Sequence, residues 1–205
     1  MIDIVNRERS CHIVTIEDPI EFLHRNLRSV VDQREVGDDT PSFASALKHV
    51  LRQNPDVILV GEMRDVETMA TAITAAETGH LVLATLHTND AVQAVDRIVD
   101  SFPAHQQGQV RTQLSFSMLA ILSQRLLPRA DGKGLHVAVE ILVNTPGVSH
   151  LIRDDKAHLV YNAMETGGKE GMITMDQVLK GMALDGTITF EEAKKRMRNP
   201  TVLGK

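Results

Sequence analysis

The chain has 205 residues, 42% of them hydrophobic and 24% charged, which suffices for one sizeable core with at most a small appended module. A net charge of -5, no Trp and a single Tyr exclude the basic stripe and stacking aromatics of a nucleic-acid binder, so no direct nucleic-acid partner is expected. No apolar run approaches the roughly 18 residues of a membrane span, and the first nine residues mix Asp3, Arg7, Glu8 and Arg9 with a short apolar set, so the sequence reads as that of a cytoplasmic protein. Cys11 has no second cysteine to pair with and is expected to pack beside a strand.

Three segments share one design, an apolar β-branched run ending abruptly in ionisable residues: His12-Ile-Val-Thr-Ile-Glu-Asp18, Asp56-Val-Ile-Leu-Val-Gly-Glu62 and His80-Leu-Val-Leu-Ala-Thr-Leu-His87. Runs apolar on both faces suit buried strands of a parallel sheet. Between the first two, Ser29 to Gly37 alternates weakly, as a small strand pair or an edge excursion. Thr40-Pro41-Ser42 then opens a helix with Phe43, Ala46, Leu47, Val50 and Leu51 on one face, stopped by Asn54-Pro55. Asp65 caps a helix through Val66, Met69 and Ile73 that ends at Gly79, and Asp90 caps another through Val92, Val95, Ile98 and Val99. Residues 110–127 read as one long helix through Leu114, Met118, Ile121, Leu122 and Leu126, followed by a turn at Asp131-Gly-Lys-Gly134 and a strand over 136–143. Beyond Pro146 come shorter amphipathic pieces. The expected organisation is an α/β fold, a parallel sheet flanked by helices over 1–145, with a helical region over 146–205.

Ligands of an open parallel sheet bind beyond the carboxyl ends of its strands, where loops and helix N-termini converge. Here those ends carry Glu17-Asp18, Glu62 and His87-Thr88-Asn89-Asp90. Such a set suits a hydrated Mg²⁺ or an oriented water, because hard cations take carboxylate oxygens. Asp65 and Asp90 are equally well explained as caps, His12 and His80 as structural residues before strands, and Glu17 and Asp18 as ion-pair partners of Arg28, Arg34 or Arg64.

Three long motifs now carry a resemblance. Val14-Thr-Ile-Glu-Asp-Pro-Ile-Glu-Phe22 resembles the aspartate box of type II and type IV secretion and pilus ATPases. Leu51-Arg-Gln-Asn-Pro-Asp-Val-Ile-Leu-Val-Gly-Glu-Met-Arg-Asp65 is similar to their Walker B region, with Gly61 in place of the usual aspartate, and Gly79-His-Leu-Val-Leu-Ala-Thr-Leu-His-Thr-Asn-Asp-Ala91 to their histidine box. The tail, Gly171-Met-Ile-Thr-Met-Asp-Gln177 and Gly186-Thr-Ile-Thr-Phe-Glu-Glu-Ala193, resembles the end of the PilT-like retraction ATPases. The resemblance implies a RecA-like sheet, ATP and Mg²⁺, a homo-hexamer, and work against an inner-membrane pilus platform protein from its cytoplasmic side. It implies Glu62 as general base, Glu17 and Asp18 arranging metal and water (with Glu17 and Glu62 acting on Mg²⁺ indirectly), and His80 and His87 coupling nucleotide state to movement between subunits. Arg34, Thr88 and Asn89 follow as nucleotide or subunit contacts.

The sequence departs from that family in two ways. A phosphate-binding loop needs glycines followed by Lys and Ser or Thr, and the Gly-Lys pairs 132–133, 168–169 and 204–205 lack that context. In the family that loop precedes the aspartate box, and Met1-Ile-Asp-Ile-Val-Asn6 resembles the end of the intervening helix. The chain is therefore expected to be a fragment without the phosphate loop and its strand, inactive alone. Second, the retraction motif Ala-Ile-Arg-Asn-Leu-Ile-Arg-Glu appears as Gly147-Val-Ser-His-Leu-Ile-Arg-Asp154, which leaves pilus extension and type II secretion as alternatives to retraction. A non-catalytic regulatory module is the competing reading, and a metal hydrolase built on His80, His87 and Asp90 the weakest.

Overall fold

A computed structural model of the chain describes residues 1–203, so the Gly-Lys pair at 204–205 lies outside the described residues. The chain forms two compact units, one of Met1–His87 with Ser101–Pro103, the other of Thr88–Asp100 with the chain from Ala104 onward. The boundary expected near Pro146 falls inside the second unit.

The first unit contains helix α1 (Ile2–Glu8), strands β1 (His12–Glu17) and β2 (Val30–Glu35), helix α2 (Phe43–Val50), strand β3 (Val57–Val60), helix α3 (Val66–Glu77) and strand β4 (Leu81–Ala84). The strands form one parallel sheet in the order β2-β1-β3-β4. The Ser29–Gly37 segment is thus an edge strand, parallel to β1, rather than a strand pair. Alternate residues of the apolar runs face opposite layers. Val14, Ile16, Ile58 and Val60 meet Ala46, Leu47 and Val50 of α2 and Ala72 and Ala75 of α3. On the other face Ile13 and Val57 meet Ile2 of α1.

The helices start where short polar side chains satisfy their free amides. Ser42 accepts from the amide of Ser45 at 3.1 Å. Asp65 accepts from the Thr68 amide at 2.8 Å and its hydroxyl at 2.7 Å. Burial alone would raise the Asp65 pKa, yet hydrogen bonds from Thr68 and the Glu67 amide outweigh it and hold the carboxyl below its ordinary value. Asn54, at φ +49°, ends the turn after α2 in the left-handed region, and Gly79, at φ +100°, follows the end of α3.

The second unit begins with α4 (Ala91–Asp100) and continues through α5 (Ala104–Ser117), β5 (Ala120–Pro128), β6 (Leu135–Val143), α6 (Pro146–Arg153), α7 (Val160–Thr166), α8 (Met175–Leu184) and α9 (Phe190–Arg196). The long helix expected over 110–127 is corrected here: α5 ends at Ser117, and from Ala120 the chain is β5, antiparallel to β6. Asn144 marks the break, its side-chain amide donating to the carbonyls of Ser115 at 2.9 Å and Met118 at 2.8 Å. Leu122 and Leu126 are four residues apart, a spacing that serves a helix face and a strand face alike. One face of the ribbon, with Leu127 and Ala138, packs on Leu179, Met182 and Ala183 of α8 and Ala193 of α9. Thr174 and Gln177 form a reciprocal capping box at the start of α8.

Candidate active site

The carboxyl ends of β1, β3 and β4 converge on a cavity of about 280 Å³ whose lining includes Glu17, Asp18, Phe43, Gly61, Glu62, Thr85 and His87. Parallel pairing puts them there, since Ile16 is level with Val60 and Val60 with Ala84. Glu17, Glu62 and His87 leave three neighbouring strands on one rim.

Gly61 sets how closely those strand ends approach. Its amide donates to the Ile16 carbonyl at 2.7 Å, and a Cβ at this position would lie 3.0 Å from that oxygen and 3.2 Å from the Glu17 Cα. Those neighbours are backbone atoms with no rotamer to change. The glycine in place of aspartate therefore fits a site where the chain itself occupies the side-chain space.

Glu62 has a side chain only 13% exposed, flanked by a guanidinium and an imidazole that are both far more exposed. Arg64 Nε reaches Oε1 at 2.7 Å and His87 Nε2 stands 3.3 Å from Oε2. Thr85 ties the two strand ends together, its hydroxyl donating to the Gly61 carbonyl while its own carbonyl accepts from the Met63 amide at 3.1 Å. Glu17 makes no ion pair of the kind expected with Arg28, Arg34 or Arg64. Its Oε1 instead accepts from the Thr15 hydroxyl at 2.6 Å and the Gln33 side chain at 3.1 Å. Gln33 also donates to the Phe22 carbonyl at 2.9 Å and accepts from the His24 amide at 2.7 Å, fixing the loop after the cis Asp18-Pro19 peptide against the rim.

Other sequence candidates lie elsewhere. His80 sits at the opposite end of β4 from His87, its Nδ1 2.9 Å from the Ala75 carbonyl and 3.2 Å from the Thr78 hydroxyl. Arg34 donates to the Gln53 side chain at 2.8 Å. Neither lines the cavity. Thr88 and Asn89 belong to the second unit, where Asp90 caps α4 by accepting from the Gln93 amide at 2.8 Å. Sequence reasoning missed Gln33, Thr85 and the role of Arg64 against Glu62. Gln33 faces Thr15 only through the parallel register, and a single sequence carries no signal for that.

A parallel sheet that gathers carboxylates and an imidazole at its carboxyl edge, after an apolar strand and a helix-capping aspartate, belongs to a recognisable class. The chain is a member of the family described as type II/IV secretion system protein, whose pattern matches residues 1–180. Among curated relatives it is similar to the type IV pilus retractation ATPase PilT of Pseudomonas aeruginosa, 48% identical over 98% of this chain and 58% of that one. It is likewise similar to the twitching motility protein of Neisseria gonorrhoeae, 50% identical over 97% of this chain and 53% of that one. The solved structure of the pilus retraction motor PilT with bound ADP matches with a TM-score of 0.91 at 50% identity, covering 99% of this chain and 57% of that chain. The chain thus spans little more than half the length of these relatives. Among the described residues no helix is long and apolar enough to cross a membrane.

Proposed function

We propose that the chain is the water-activating half of an ATP-hydrolysing motor of type IV pilus retraction. The observation that carries this is the shared cavity, with Glu62 enclosed between Arg64 and His87 and Glu17 on the adjoining strand. Glu62 is the general base: its Oε2 accepts the proton of the water that attacks the γ-phosphate, a role that requires hydrogen-bond reach of about 2.6–3.2 Å. Glu17, fixed by Thr15 and Gln33, orients that water together with Asp18. Mg²⁺, when bound, supplies charge neutralisation at the phosphate oxygens. The carboxylates present suit a metal held through water, because among the described residues no group of three or more His, Cys, Asp and Glu is placed to ligate one directly. The phosphate grip does not fit this chain. Its 205 residues contain no Gly-rich loop followed by Lys and Ser or Thr, and such donors make the charge-assisted hydrogen bonds that hold a triphosphate.

His87, beside Glu62 on the rim, couples nucleotide state to movement between subunits, and Thr88 and Asn89 are further candidate nucleotide or subunit contacts. His80 and Arg34, set away from the cavity, act on neighbouring subunits of a homo-hexamer rather than on the nucleotide. The motor works in the cytoplasm against a platform protein of the inner membrane. Retraction is favoured over extension or secretion because relatives named for retraction and twitching match 97–98% of the chain.

The test joins this chain to the part of the Pseudomonas relative that it does not span, where the family resemblance puts the phosphate loop, and measures phosphate release. The 205 residues alone release none, the chimera does, and Glu62→Gln lowers its rate about 10²–10⁴-fold. Rapid Mg²⁺-dependent release by the 205-residue chain itself would contradict the assignment of the phosphate grip to residues outside it. The second reading, a regulatory module without catalysis, is favoured by the same lack of a phosphate grip. It predicts that the chain co-purifies with an intact relative and depresses its rate.

A further inference from the structure

We propose that Glu140 and Arg125 are positioning residues which tie the start of α4, and with it the Thr88–Asn89–Asp90 segment that follows His87, to the C-terminal helices α8 and α9. Glu140 lies in the middle of β6 and is 1% exposed. Its Oε1 accepts from the Ala91 amide at 2.9 Å and its Oε2 from the Met175 amide at 3.0 Å. Those two amides belong to the first residues of α4 and α8. One carboxylate is thus shared between two helix N-termini, whose free amides and dipoles favour negative charge. Each helix already has a side-chain cap of its own, Asp90 for α4 and Thr174 for α8, so local capping needs no buried acid. What Glu140 adds is a rigid link between helices that are otherwise far apart in the chain.

Arg125, on the paired strand β5, repeats the arrangement with donors. Its Nη2 donates to the Asn89 carbonyl at 3.2 Å and its Nη1 to the Arg196 carbonyl at 3.1 Å, at the last residue of α9. Two side chains of one ribbon therefore grip both ends of the short segment from Asn89 to Ala91. Each has its second hand on a different C-terminal helix. A shift of α8 or α9 cannot leave that segment unmoved while both struts hold. A hydrogen-bonded network built on a buried carboxylate has discrete rather than graded arrangements, which suits a part that transmits movement.

The experiment is amide hydrogen exchange on the 205-residue chain. Glu140→Gln turns one accepting oxygen into a donor and is expected to speed exchange of the Ala91 or Met175 amide about ten- to a hundredfold, with the Val14 and Ile58 amides unchanged. Thr174→Ala, made at the α8 cap, is expected to speed exchange at Ala91 in the parent chain and to add little in the Glu140→Gln variant, the non-additivity of a shared strut. A merely structural Glu140 would leave Ala91 indifferent to Thr174→Ala, and that result overturns the proposal. Should Glu140→Gln not fold, Arg125→Met reads the second strut. Faster exchange across residues 89–93 supports the link, and unchanged exchange refutes it.

Discussion

Glu62 and Glu140 are both glutamates of apolar strand segments, and the protein treats them oppositely. Glu62 emerges at a strand end, and its neighbours are the long, solvent-exposed side chains of Arg64 and His87, which can swing aside. Glu140 sits in mid-strand and is held by two backbone amides that have no rotamers. A carboxylate met by mobile side chains stays available for chemistry. One met by backbone is committed to architecture. The same side chain thus serves turnover at one place and rigidity at the other.

Substitutions can break or sharpen this contrast. Glu140→Leu strands two buried amides and is expected to lower unfolding stability by about 2–5 kcal/mol, whereas Glu62→Gln, losing only exposed partners, should change it by less than about 1 kcal/mol. Chemical denaturation of the two variants checks both, and equal losses would erase the distinction. Next in size is Gly61→Ala. Its methyl meets the Ile16 carbonyl and Glu17 Cα, so strand ends must part, at about 1–3 kcal/mol. If it were neutral in denaturation, Gly61 would not be what brings Glu17 and Glu62 together.

Smaller than the Gly61 effect is that of Asp65→Ala at the start of α3, which removes a cap and is expected to cost about 1 kcal/mol. Because the folded carboxyl is held below its ordinary pKa of 3.8, its stabilising effect is present above that value and fades as the pH falls through the lower folded value. The stability gap between parent and variant should therefore narrow below about pH 4.

The rim was legible in the sequence because its strands are continuous apolar runs, largely buried in β1 and β3 and partly buried in β4. Val14 to Ile16, Val57 to Val60 and the run from Leu81 have no other reading, and the residues closing each run are those that reach the cavity. Asp65 and Asp90 proved to be caps, as local hydrogen bonding allows. Of the ribbon, β6 was legible as the strand over 136–143, whereas β5 was not: it is half exposed, and its Leu122 and Leu126 satisfy helical spacing as well as strand alternation. The sequence already set His80 before its strand and His87 after it, and the four-residue strand between them puts one at each end of the sheet. Arg64 against Glu62 and Gln33 beside Glu17 depend on how the chain turns after a strand and on parallel register, which composition and periodicity do not encode.

The most direct test of the central claim is phosphate release by the chimera that supplies a phosphate loop, measured beside its denaturation curve. The account predicts that Glu62→Gln loses hydrolysis while keeping its stability and nucleotide binding. Hydrolysis that survives Glu62→Gln unchanged would contradict it.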